Sequence, residues 1–148
     1  MRKPVAFVVA LAALAVTGTQ SITTASAHGG KDFTLTEKTV SEQDIDLGEK
    51  GQGVGDQFVF QGDLTDDHGK DAGHTLGHCV LVSDNGIHCT ATVVLEHGNL
   101  SVAGGGTGDG DNFAVAIVGG TGDYRGATGE LEVKHVDEKT SELTVHLD

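Results

Sequence analysis

Apolar and polar residues alternate along most of this chain. Phe33 and Leu35 alternate with Thr34 and Thr36, and Phe58 and Phe60 lead toward Leu64. Cys79 and Leu81 precede the stretch Ser83-Asp84-Asn85-Gly86; Cys89, Ala91, Val93 and Leu95 follow it. Leu100 and Val102, then Phe113, Val115 and Ile117, then Leu131 and Val133, and finally Leu143, Val145 and Leu147 repeat the pattern. Successive side chains of a strand point to opposite faces, so a period of two marks strands with one buried face. The pattern predicts eight strands, at about 32–40, 56–64, 73–82, 87–96, 99–103, 112–119, 127–137 and 142–147. Turns rich in Gly, Asp and Asn separate most of them. Short strands at this spacing predict an all-β barrel or sandwich, and closure would remove edges open to aggregation. Eight strands leave a lumen that side chains can fill or that holds one small ligand. Residues 41–55 read as a long polar loop, with a short extra strand near Ile45.

The first residues change the picture because they carry an address. Arg2 and Lys3 precede the apolar run from Val5 to Val16, and Ala25-Ser26-Ala27 supplies small residues for a cleavage site. These are the parts of a secretory signal in order, so residues 1–27 are expected to be removed and the protein secreted. The apolar run is short for a membrane span, which needs about 20 residues. No cysteine near the cut suggests a lipid anchor. Residues 28–148 then form one β-barrel domain, with its core at about 53–147. The full chain carries a net charge of −13, and the lost segment takes away positive charge only. Binding to nucleic acid requires Lys and Arg to replace counterions at phosphates, so no nucleic-acid partner is expected. Anionic membrane surfaces are disfavoured for the same reason.

The two cysteines, Cys79 and Cys89, flank a hairpin turn signal. An antiparallel hairpin sets them nearly opposite and on one face, and an exported protein favours a bridge between them. Free thiols or a metal site are the alternatives, although the pair lacks close C-x-x-C spacing.

The most distinctive stretch runs Val118-Gly119-Gly120-Thr121-Gly122-Asp123-Tyr124-Arg125-Gly126-Ala127-Thr128-Gly129-Glu130-Leu131. It reads as a strand, a tight glycine turn, an aromatic plug, a second turn and another strand. With Leu100-Ser101-Val102-Ala103-Gly104 upstream, it resembles the allene oxide cyclase and dirigent-protein superfamily over roughly residues 53–147. That resemblance implies an eight-stranded antiparallel, calycin-like barrel with a largely apolar lumen, often as a homotrimer. It implies an isomerase or cyclase without a cofactor, which works by confining a reactive apolar molecule in one folded shape. It also implies a structural part for the turn residues Gly119, Gly120, Gly122, Tyr124, Gly126 and Gly129, and Arg125 is assigned no catalysis. Allene oxide cyclases carry a Glu and an Asn on the first strand and a Pro near the second. Here Phe33-Thr34-Leu35-Thr36-Glu37-Lys38-Thr39 holds no Asn, and the only proline, Pro4, lies in the signal segment. The plant-type reaction is therefore not expected.

The candidate chemistry follows from strand parity. If Phe33 and Leu35 face inward, so does Glu37; if Leu131 and Val133 do, so does His135. In a lumen, desolvation would bring both toward the range useful for proton transfer. The competing expectation places both at a solvated rim. Phe58, Phe60, Phe113 and Leu95 are the candidate ligand-binding residues. Polar groups at one depth of the inner wall would favour catalysis. An empty apolar cavity would favour a lipocalin-like carrier, and a lumen packed by the three phenylalanines a structural protein. No metal site is expected. His68, His74, His78, His88, His97 and His146 lack ligand spacing, and neither Asp63, Asp66 and Asp67 nor Asp109 and Asp111 fits the twelve-residue calcium loop. His78 and His88 are expected on the surface. Gly104 to Gly108 reads as a flexible turn and not a phosphate loop. Val80, Val82, Val94, Val118 and Val136 form an outer stripe that suits an oligomer surface.

Overall fold

Strands form where the alternation predicts them: β1 (Phe33–Ile45), β2 (Gln57–Thr65), β3 (Asp71–Leu81), β4 (Gly86–Leu95), β5 (Gly98–Thr107), β6 (Asn112–Gly120), β7 (Gly129–His135) and β8 (Thr140–Leu147). The structure, a computed structural model, describes residues 31–107 and 112–148. The secretory-signal reading of residues 1–27 and the cation reading of Asp109 and Asp111 fall outside the described residues. Each strand pairs antiparallel with the next, and β8 returns to β1 to close the barrel. The closing ladder sets Phe33 against Val145, Leu35 against Leu143 and Glu37 against Ser141. Leu64, Val93, Leu100 and Val145 are the largest fully buried side chains, all on the inner wall.

Two segments depart from the expectation. β1 continues to Ile45 past a bulge between Thr39 and Ser41, so no separate strand forms near Ile45 and the connection spans only 46–56. Residues 41–44 are exposed on both faces there, and without a buried face the strand leaves no alternation to read. Asp56 knits the shortened loop: its carboxylate accepts the backbone N–H of Leu47 at 2.8 Å and of Gly53 at 2.7 Å. Likewise, Gly104–Thr107 is not a turn but the end of β5, in register with Gly86–Cys89. Ladder hydrogen bonds need no side chain, so a glycine run can extend a strand silently.

The glycine motif seals one end of the barrel. After β6 the chain makes a single 3-10 turn at Gly122–Tyr124. That turn docks on the β4–β5 hairpin through Thr121 N–H to Asn99 O at 2.9 Å and Asp123 N–H to His97 O at 2.9 Å. Gly122 has φ +59 and lies against the His97 carbonyl, so a side chain there would meet both strain and backbone. Tyr124 then packs on the core beneath, with its ring 6.5 Å from that of Phe33.

Candidate active site in the barrel lumen

Among the described residues, the opposite end of the barrel is open. A cavity of about 340 Å³ enters there and runs down the lumen, with Glu37, Thr75, Val93 and Leu143 among its lining. It lies where the C-terminal halves of the odd strands meet the N-terminal halves of the even ones. Leu64, Leu100 and Leu147 fill the barrel below.

Glu37 is only 7% exposed and sits in this wall, not at a rim. Its neighbour across the β1–β8 ladder is Ser141, and that of Ser141 across β7–β8 is His135. The three side chains therefore stand side by side on adjacent strands. His135 Nδ1 and the Ser141 hydroxyl are 3.0 Å apart. His135 itself is exposed, because it ends β7 at the mouth of the cavity. The expectation thus divides: the carboxyl is buried in the lumen and the imidazole stands at its entrance.

On its other side Glu37 reaches past β2 to β3, where the Thr75 hydroxyl donates to its carboxylate. Gly62 makes this possible. It lies on the strand between them, paired with Thr39 and Thr75. A Cβ at Gly62 would stand 2.5 Å from the Glu37 Cγ and 2.8 Å from the Thr75 hydroxyl oxygen. Burial pushes the Glu37 carboxyl above the usual carboxylate range. The Thr75 hydrogen bond and, more weakly, the nearby His135 pull against that rise. Such a group exchanges a proton closer to neutral pH than an exposed glutamate does.

Aromatic and apolar side chains make up much of the remaining wall. Phe58 and Phe60 stack on β2 with ring centroids 5.6 Å apart. Phe113 lies on β6, on the far side of the ring of eight strands, and its ring is 5.9 Å from His135. All three line the cavity without filling it. Leu95 does not join them: it lies toward the sealed end and packs against the core. Cys79 and Cys89 form a disulfide, and both face the lumen. His78 lies instead within 3.1 Å of Gln57, and His88 is exposed. Asp66 accepts the backbone N–H groups of His68 and Lys70, both at 2.9 Å, and so shapes the β2–β3 turn. Among the described residues, no three His, Cys, Asp or Glu side chains converge as metal ligands would.

Thr75, Ser141 and Gly62 are site residues that the alternation of apolar positions does not single out. Ser141 shares the inward parity of Leu143 and Val145, and that phase is the signal in the sequence that marks it. Thr75 likewise shares the phase of Cys79. Gly62 gives no such signal, because its part depends on a contact between strands on either side of it.

Comparison with known proteins places this geometry. Residues 34–147 match the family described as allene oxide cyclase barrel like domain. The solved structure of a pyocyanin demethylase is 30% identical, with a TM-score of 0.74 over 80% of this chain and 100% of the other. The exo-specific intermolecular Diels-Alderase AbnU is 15% identical, with a TM-score of 0.65 over 80% of this chain and 97% of its own. A pterocarpan synthase dirigent protein is 17% identical, with a TM-score of 0.61 over 80% of this chain and 82% of its own. The last two share the fold alone. No curated protein matches the chain.

Proposed function

Because this chain belongs to the allene oxide cyclase barrel-like family, whose barrels include enzymes acting on small molecules, we propose that it is a cofactor-free enzyme whose lumen binds an apolar, ring-bearing small molecule and moves a proton on it through Glu37. One observation carries the reading. Glu37, Ser141 and His135 occupy registered positions on three adjacent strands and face one cavity. A filled structural core has no use for a carboxyl so placed, since burying one without a task costs stability. Phe58 and Phe60 on one wall and Phe113 on the other suit the two faces of a flat ring. Held there, the molecule would present an edge to the polar arc. Confinement sets the reacting geometry; Glu37 acts as general acid or base, and Thr75 orients its carboxyl.

The runner-up is a carrier that uses the same lumen. Pyocyanin, the compound in the name of the 30%-identical solved structure, is a direct first probe for separating the two. The enzyme reading expects one balanced outcome by liquid chromatography–mass spectrometry: Glu37 moves a proton from the N-methyl group, water adds to that carbon, the C–N bond breaks to release formaldehyde, and the phenazine ring takes up the two electrons as the dihydro-hydroxyphenazine. It also expects Glu37→Gln to lower turnover by about a hundredfold or more, the usual worth of a general acid or base, with binding retained. Saturable binding without turnover would select the carrier. Turnover undiminished in Glu37→Gln would remove Glu37 from the chemistry, and neither binding nor turnover would count against an aromatic ligand.

Export and assembly belong to the same proposal. The mature protein would begin at His28, and three copies would associate. The outer wall supports this contact: Leu76 and Val118 are exposed beside the small residues Ala103, Thr90 and Ser101, around a shallow groove of about 580 Å³. Native mass spectrometry of protein from culture medium reports both features. A mass starting at Met1, or a monomer at micromolar concentration, would contradict them.

A further inference from the structure

The Cys79–Cys89 disulfide is placed oddly for a staple. Its partners oppose one another in the β3–β4 ladder, which stays in register on both sides, with Val80 against His88 and His78 against Thr90. The hairpin is closed beyond it by Val82 N–H to Gly86 O at 2.8 Å. The bond therefore joins two strands that backbone hydrogen bonds already hold together. What it adds is a pair of sulfurs on the lumen wall. They lie on β3 and β4, across the barrel from the Glu37–Ser141–His135 arc on β1, β8 and β7. Along β3, Cys79 stands two inward positions nearer the open mouth than Thr75.

The two sulfurs are not equivalent. Cys79 is only 5% exposed, and its neighbour across the β2–β3 ladder is Phe58. Cys89 is partly exposed, and its neighbour across the β4–β5 ladder is Gly104, which has no side chain to cover it. Thiol–disulfide exchange begins with a thiolate attacking one sulfur while the other leaves, and which sulfur reacts depends on access. Here access comes through the cavity and favours Cys89.

We propose that this disulfide is a thiol-exchange site for low-molecular-weight thiols that enter the lumen, with Cys89 attacked and Cys79 the resolving residue. The entering thiolate bonds to the Cys89 sulfur, the Cys79–Cys89 bond breaks, and the Cys79 thiolate takes a proton from water. Return attack by Cys79 on the mixed disulfide expels the thiol and restores the starting bond. Attack on the mixed disulfide by a second small thiol instead releases the small disulfide and leaves two protein thiols. While the mixed disulfide lasts, a polar adduct occupies the lumen, so modification and ligand binding exclude one another. The exchange needs the cavity but not proton transfer by Glu37, so it stands or falls separately from the enzyme reading.

The test uses reduced glutathione and the native, folded protein. Acid quenching followed by peptide mapping should find the glutathione adduct on Cys89 at least tenfold more often than on Cys79. Single variants give an independent measure. N-ethylmaleimide should alkylate Cys89 in Cys79→Ser at least tenfold faster than Cys79 in Cys89→Ser, and saturating N-phenylnaphthylamine should slow the first reaction. Equal labelling, a preference for Cys79, or reaction only under denaturing conditions would overturn the proposal. So would a Cys89 rate unchanged by a probe shown to occupy the lumen.

Discussion

At Glu37, burial and hydrogen bonding oppose one another, and burial wins: the carboxyl is held above its ordinary value of 4.5. That sign has a consequence for stability. Below about pH 4.5 the group is protonated in both folded and unfolded chains and costs nothing. As pH rises through the folded value, the unfolded chain is already ionised and the folded one must follow, so stability is lost. Glu37→Gln removes this loss. Thermal unfolding of both proteins from pH 4 to 8 should show similar midpoints at the acid end and a growing advantage for the variant above it. A constant difference across that range would mean that the carboxyl is not desolvated in the folded protein. The same residue shows what sequence reading reaches. Parity alone turned Glu37 inward, since it lies in phase with Phe33 and Leu35. Its partner Thr75 is 38 positions away, and the intervening Gly62 leaves no periodic trace, so the hydrogen-bonded unit becomes legible only once β1, β2 and β3 are in register.

Among the elements, the strands were legible wherever one face is buried and the other wet. Their ends were not: β1 beyond Thr39 and β5 beyond Gly104 extend toward the open mouth, where ladder pairing continues but burial does not. The turn between β6 and β7 was legible for the opposite reason, because its glycines are required by backbone conformation and close approach. Gly122→Ala tests this. Positive φ alone costs a residue with a Cβ about 1–2 kcal/mol, and contact with the His97 carbonyl adds to it. Denaturant unfolding should show at least that loss, with Tyr124 fluorescence reporting a loosened barrel end. A stability within a few tenths of a kcal/mol of wild type would show that the turn tolerates other conformations.

For the whole molecule, the division of labour follows from closure. One end is packed and plugged by the glycine turn, the described residues leave the other as the entrance, and a cavity of about 340 Å³ survives between the aromatic walls. Sequence patterns set the strand count that makes such a lumen possible, but not whether Phe58, Phe60 and Phe113 fill it or line it, because that depends on rotamers and on small residues opposite them. Ala91 is one of these, on the inner wall between Cys89 and Val93. Equilibrium titration with N-phenylnaphthylamine, wild type beside Ala91→Trp, tests the lumen most directly. The account predicts one saturable site per chain in the wild type, lost in the variant while its far-ultraviolet circular dichroism is unchanged. Absence of saturable binding in the wild type, or equal binding by both proteins, would contradict the claim that this barrel works through its interior.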